Sequence, residues 1–325
     1  MTDHAIATPQ RTSSVERYLD AETRLWQHYG LTPRTRFVEI PRPRARLRVQ
    51  EVGSGPPVLF IHGTVGPGAW PSLVAGMPGF RSLVLDRPGW GLSGPVDFAG
   101  HEYRAFVADL LRGVLDGLGI DRIDVVGASI GYVWALSLAE HHPSRVGRIV
   151  MLGGGPLVSD VPIPAFIRLI RSPIGALVVR LPMSSDRLRS VLRQNGHGPS
   201  LDAGRIPDEL IDWRLSLAND TLSMRHERDM VRTILGRSTW KPGFAFDDRD
   251  LGRISHPTLM VYGTADPTGS PDLWRRVVGA LPHGELEVLD GAGHQPWFEN
   301  ASFVAERVSR FLAKPAGGSD AGTAD

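Results

Sequence analysis

The chain has 325 residues, 42% of them apolar, a formal net charge of +1 and no cysteine. That length suits one α/β core carrying an insertion, and the near-neutral balance offers no electrostatic case for nucleic acid or an anionic membrane as a partner. The missing cysteines exclude disulfides, thiolate metal sites and a cysteine nucleophile. With no apolar leader among residues 1–14 and no run of roughly 18 apolar residues, the expectation is a cytoplasmic protein.

Residues 1–14 are polar and expected to be loose. Over 15–30, Val15, Tyr18, Leu19, Leu25, Trp26 and Tyr29 share one helical face, which predicts an extra helix packed on the core. Arg36 to Ile40 and Ala45 to Val52 read as two strands joined by a turn at Pro41-Arg42-Pro43. Arg42, Arg44, Arg46 and Arg48 alternate with Pro43, Ala45, Leu47 and Val49, so the arginines are expected on a solvated face. Pro57 to Ile61 and Ser82 to Asp86 are buried-strand runs, ending in His62-Gly63-Thr64 and in Arg87-Pro88-Gly89-Trp90-Gly91-Leu92-Ser93-Gly94. His101 to Leu118 has helical spacing and stops at Gly119.

Next comes Ile123-Asp124-Val125-Val126-Gly127-Ala128-Ser129-Ile130-Gly131, an apolar run ending in Gly-x-Ser-x-Gly and passing into a helical segment from Tyr132 to His142. Strand, serine at a sharp turn, then helix is the context a nucleophile elbow requires. Glycine at 127 and 131 lets strand and helix close together, and the turn exposes the Ser129 hydroxyl above the sheet.

After the strand Val146 to Leu152, the alternation of strand and helix stops at Gly153-Gly154-Gly155-Pro156. From there the pattern is helical, over Pro164 to Arg171, Ser185 to Gln194, Asp208 to Leu217 and Met224 to Leu235. Strands and helices resume with Pro257 to Tyr262, Asp272 to Leu281, Glu285 to Leu289 and Pro296 to Leu312. The reading is therefore an α/β core of residues 1–155 and 256–314, a helical cap of residues 156–255, and a disordered tail of residues 315–325. Alternating buried strands and helices imply a mostly parallel sheet covered on both faces.

A serine hydroxyl needs a general base, and the base needs an orienting carboxylate. His294, in the loop Asp290-Gly291-Ala292-Gly293-His294 after a strand, is the candidate base; His62 is its rival, better suited to shaping a turn. Asp266, in Tyr262-Gly263-Thr264-Ala265-Asp266-Pro267, also follows a strand and is the candidate carboxylate. Asp290 is too close to His294 in sequence, and the segment after Leu152 offers only glycine. The order Ser129, Asp266, His294 is that of elbow enzymes. Backbone N–H groups of Thr64 and Ile130 are the candidate oxyanion donors.

On His62-Gly63, Asp86-Arg87-Pro88-Gly89-Trp90-Gly91-Leu92-Ser93, Gly127-Ala128-Ser129-Ile130-Gly131, Gly263-Thr264-Ala265-Asp266 and Gly291-Ala292-Gly293-His294, the chain resembles the α/β-hydrolase superfamily. The resemblance implies an eight-stranded sheet, a cap after the sixth strand and the Ser129–Asp266–His294 triad. Serine at 129 argues against haloalkane dehalogenase and epoxide hydrolase chemistry, which uses aspartate at the elbow. Esterases, lactonases, cofactor-free perhydrolases and carbon–carbon bond hydrolases are the closer groups; Tyr132 stands where many of them carry a second glycine.

The expectation is a serine hydrolase that cleaves an ester, lactone or other activated carbonyl through an acyl-enzyme, on a small, largely apolar substrate, with no cofactor and no metal. The alternatives are a carbon–carbon bond hydrolase, lyase or acyltransferase using the same serine, and a non-catalytic ligand sensor. Phe166, Trp213, Trp240, Phe244 and Phe246 could line a pocket but read better as cap core. Gly89 to Gly94 spells a dinucleotide pattern, yet no helix follows directly, so it carries no nucleotide site.

Overall fold

The computed structural model describes residues 13–236 and 239–314, the side chain of Phe166 excepted. Eight strands form one sheet: β1 (Arg34–Pro41), β2 (Arg44–Val52), β3 (Pro57–Ile61), β4 (Arg81–Leu85), β5 (Ile123–Ala128), β6 (Val146–Leu152), β7 (Thr258–Gly263) and β8 (Gly284–Leu289). Their order across the sheet is β1-β2-β4-β3-β5-β6-β7-β8. Both pairings of β2 are antiparallel and all later pairings are parallel.

The central strands are mostly apolar because helices cover both faces. Leu59, Ile61, Val125, Ile149, Met151 and Met260 point into one core, with the helices Tyr103–Leu118, Ile130–His141 and Pro271–Gly279. Val58, Phe60, Val126, Val150, Leu152, Leu259 and Val261 point into the other, with the helices Ser13–His28 and Ala301–Leu312. This is the period-two alternation of a strand read twice, once per face.

Register decides where the chemistry sits. Ile61 pairs with Gly127, Ala128 with Leu152, Leu152 with Val261, and Gly263 with Leu289. The loops that follow β3, β5, β6, β7 and β8 therefore leave the sheet along one carboxyl edge, where loops of an open α/β sheet build ligand sites.

Two sequence expectations change. The first helix starts at Ser13, inside the stretch expected to be loose; residues 1–12 and the predicted tail at 315–325 lie outside the described residues. And Arg48 is not on a solvated face. Arg44 and Arg46 are exposed as predicted, but Arg48 is fully buried. Its Nη1 and Nη2 donate to Glu22 at 2.8 and 2.6 Å, and its Nε donates to Asp86 at 2.6 Å. Gln50 Nε2 and Tyr18 Oη add bonds to Glu22 at 3.1 and 2.8 Å. The first helix covers this end of β2 and brings the carboxylate with it. A buried guanidinium is tolerated only when its donors are met in this way.

Between β6 and β7 the described residues form helices, among them Ala165–Arg171, Ser185–Leu192, Asp208–Asp220 and Ser223–Ile234, and no strand beyond a single bridge of Leu235 with Trp240. Trp240, Phe244 and Phe246 are packed in the first core and Trp213 in the second. Phe166, the remaining aromatic candidate, has its side chain outside the description. Among the described residues no helix is long and apolar enough to cross a membrane.

Candidate active site

Ser129 stands between β5 and the helix Ile130–His141 with φ 52° and ψ −125°, the one non-glycine residue with positive φ among the described residues. An L-residue reaches that region only when its surroundings force it. The surroundings are visible at the two elbow glycines. A Cβ at Gly131 would lie 2.0 Å from the Ile61 carbonyl oxygen, and one at Gly127 would lie 2.5 Å from the Tyr132 nitrogen. Only hydrogen fits at either place.

The structure brings Asp266 and His294 together. His294 Nδ1 donates to Asp266 Oδ2 at 2.9 Å. The same oxygen accepts the Gly154 N–H at 2.7 Å, while Oδ1 accepts the Thr268 N–H at 2.8 Å and its hydroxyl at 2.5 Å. Burial alone would raise the Asp266 pKa, but the His294 charge and the bonds from His294, the Thr268 hydroxyl and the Gly154 N–H outweigh it and push it down to about 2. At His294 burial pulls the other way and would lower the pKa; the charge and hydrogen bond of Asp266 outweigh it and leave the pKa above the ordinary histidine value.

The glycine tract after β6 lies against both Ser129 and this pair. A Cβ at Gly153 would lie 2.1 Å from the His294 carbonyl oxygen and 3.6 Å from Asp266 Oδ2; one at Gly155 would lie 2.7 Å from Ser129 Cα and 2.6 Å from the Tyr132 hydroxyl. Gly154 itself donates to Asp266. Three consecutive residues without side chains thus let the backbone just after β6 approach both the elbow and the acid–histidine pair closely. In the sequence this tract shows only as a stretch that offers no acid. Ser129, Asp266 and His294 are all buried, at 8%, 3% and 6% exposure, which shields a developing charge from water.

Of the two oxyanion candidates, Ile130 opens its helix, where N–H groups lack intrahelical acceptors. Thr64 lies just beyond Gly63, whose Cβ would be 2.9 Å from Ser129 Cβ, so its backbone abuts the elbow. His62 has the turn-shaping role. Its Nδ1–H donates to the Gly63 carbonyl at 2.7 Å and its Nε2 accepts the Arg87 N–H at 3.1 Å. Burial and the Arg87 charge hold its pKa well below the ordinary value, so it stays neutral.

Arg214 and Thr268 were missed in the sequence. Thr268 follows Asp266 by two residues, the spacing at which an aspartate closes a turn on itself, so it was available to be found. Arg214 was not, being one arginine among many. On the helix Asp208–Asp220 it donates from Nη2 to the Thr64 carbonyl at 2.9 Å. Its Nη1 is shut off from solvent with no acceptor among the described residues, and burial lowers its pKa to about 10, against the pull of Glu227. Nearby, Glu227 accepts from Arg87 Nη2 and Trp90 Nε1, both at 3.0 Å. Of the two arginines near Glu227, only Arg87 is bonded to it.

Residues 56–301 match the family described as alpha/beta hydrolase fold. The chain is 30% identical over 295 residues, 86% of its length and 95% of the relative's, to the 2-hydroxy-6-oxononadienedioate/2-hydroxy-6-oxononatrienedioate hydrolase of Cupriavidus pinatubonensis. Among solved structures it superposes on a carboxylesterase from Bacillus subtilis with TM-score 0.72 at 19% identity, covering 93% of this chain and 99% of that one. It also superposes on the 2-hydroxy-6-oxo-6-phenylhexa-2,4-dienoate hydrolase of a Rhodococcus species with TM-score 0.68 at 21% identity, covering 87% and 100%.

Proposed function

The chain belongs to the α/β-hydrolase fold family and is a hydrolase, and from that premise we propose that it cleaves an activated carbonyl compound through an acyl-enzyme on Ser129. The observation that carries this reading is the Asp266–His294 pair, met by four donors at the carboxylate, on the same sheet edge as a serine held at positive φ. His294 Nε2 takes the Ser129 proton as the oxygen attacks the carbonyl carbon. The resulting oxyanion is stabilised by the N–H groups of Thr64 and Ile130. Collapse breaks the bond to the leaving group, which departs with the proton from His294. Water, deprotonated by His294, then releases the acid and restores Ser129. Asp266 holds the Nδ1–H tautomer and stabilises the imidazolium formed twice in the cycle.

Arg214 favours an anionic substrate. A buried guanidinium nitrogen without an acceptor is costly unless a ligand supplies one, and a carboxylate is the natural partner. The relatives' names specify oxo-dienedioates, which carry a ketone and two carboxylates. We therefore favour carbon–carbon bond hydrolysis of a carboxylated diketone-like compound, in which the leaving carbanion is delocalised toward the carboxylate end that Arg214 holds. Ester hydrolysis, the primary expectation from sequence, shares every other residue.

A substrate panel separates the readings. A dienol-type 6-oxo acid should be turned over by the wild type and not by Ser129→Ala. Arg214→Gln should slow it by about tenfold or more, the loss of one charge-assisted hydrogen bond, while p-nitrophenyl esters are spared. Turnover of neutral esters alone, indifferent to Arg214→Gln, would establish the esterase reading instead. No turnover of either class, with no fluorophosphonate labelling of Ser129, would leave the ligand-sensor alternative.

A further inference from the structure

The loop that carries His294 is gripped by the insertion. Between the helices Ser185–Leu192 and Gly198–Asp202, residues Arg193–His197 form a π-helical turn with Gly196 at φ 87°. A Cβ at Gly196 would meet the Ala265 carbonyl oxygen at 2.4 Å and Gly293 Cα at 2.9 Å. The turn is thus wedged between the loop bearing Asp266 and the loop bearing His294. On one side Asn195 accepts the His294 N–H at 2.9 Å. On the other, fully buried His197 donates from Nδ1 to Glu299 Oε1 at 2.8 Å, and its Nε2 faces the Gln295 side-chain oxygen at 2.9 Å and the Gln295 N–H at 3.2 Å. Glu299 also accepts from Ser200 Oγ at 2.9 Å and, through Oε2, from the Gly293 N–H at 3.2 Å.

Residues 293, 294 and 295 each give their backbone N–H to this assembly. A glycine-rich loop has little stiffness of its own, since glycine restricts the backbone least. Its conformation, and with it the aim of the imidazole at Ser129, is set by what binds those three groups.

We propose that the Asn195–His197 turn is a positioning device for the catalytic histidine, with His197 as its anchor. The proposal rests on the reading of His294 as general base. The insertion then does more than roof the substrate: with the turn withdrawn, the loop loses two of its three acceptors and the triad loses its alignment. His197 touches no reacting atom and acts only through the backbone of residues 293–295.

The test is His197→Ala, with His197→Asn as the conservative variant, since its amide can still donate to Glu299. His197→Ala should lower kcat by about a hundredfold, the cost of a misplacement near 1 Å, with KM little changed. The acid limb of kcat/KM should move to lower pH, because a looser loop weakens the bond that raises the His294 pKa. His197→Asn should recover part of both effects. In proton NMR, the far-downfield resonance of the His294 Nδ1–H should broaden or vanish in His197→Ala, a readout that needs no substrate. If Ser129 proves unreactive yet that resonance depends on His197, the functional reading falls and the positioning role stands. A folded His197→Ala with wild-type kcat, acid limb and resonance overturns the proposal. Should His197→Ala fail to fold, Glu299→Gln preserves shape while removing the charge, and the same readouts decide.

Discussion

At His294 the sign of the pH dependence follows from which effect wins. Burial favours the neutral ring, Asp266 favours the charged one, and the balance lies with Asp266. Catalysis needs the neutral ring, so kcat/KM should rise with pH along an acid limb whose midpoint lies above about 6.5, the unperturbed histidine value. Asp266→Asn should lower kcat by about 10⁴-fold, as the wrong tautomer is then held, and move that limb downward. A pH-rate profile of wild type and variant checks both. The stability linkage has opposite signs for the two partners. The depressed pKa of Asp266 adds stability above the usual carboxylate pKa, lost as pH falls toward about 2. The raised pKa of His294 adds stability at low pH, lost as pH rises through its folded value. His62, held neutral by burial, cannot contribute to the acid limb.

At the scale of elements, the first helix is tied to the sheet by one buried ionic cluster. Arg48 on β2 meets Glu22 from that helix and Asp86 from the loop after β4. Asp86 also accepts the Leu92 N–H at 3.0 Å, and burial raises its pKa to about 6 despite Arg48. Removing the cation strands two buried carboxylates, so Arg48→Met should destabilise by about 3–5 kcal/mol in denaturant melts. A loss under about 1 kcal/mol would place the pair among those worth little. Alternation along β2 was legible, but the fate of its arginines was not. Arg46 and Arg48 occupy the same pattern in sequence, and only the helix folding over one of them separates an exposed charge from a buried one.

For the whole molecule, the segment between β6 and β7 does not keep a core to itself. Leu188, Leu192, Leu210, Trp213 and Leu217 belong to one core of the sheet, and Met230, Val231, Ile234, Trp240 and Phe244 to the other. The exception is the stretch 169–181, where Leu169, Ile174, Leu177 and Leu181 are 41–66% exposed. We propose that opening is graded across the insertion. Amide exchange should be faster over 169–181, where Leu169, Ile174, Leu177 and Leu181 face solvent, than over 188–217, which should exchange as slowly as the central strands. Uniform protection across residues 156–255 would refute a graded opening. Hinges at the two ends of the segment, Gly155-Pro156 and Ser255-His256-Pro257, would then have to move the whole block, against the bonds at Asn195 and His197.

What the amino-acid order determined by itself was local: buried strands from apolar runs, the elbow from glycines flanking a serine at a strand end, and candidate loops for acid and base. Those features depend on neighbours a few residues away, so periodicity and turn chemistry reveal them. Only the tertiary structure decided that Arg48 is enclosed, that the glycine tract after β6 lies against both Ser129 and the Asp266–His294 pair, that Arg214 Nη1 beside Thr64 meets no acceptor among the described residues, and that His197 grips a loop nearly a hundred residues further along. Each is a contact between segments remote in sequence. Burial and partnership are properties of the packed chain, and the same arginine or histidine reads identically in sequence whether water or a carboxylate awaits it.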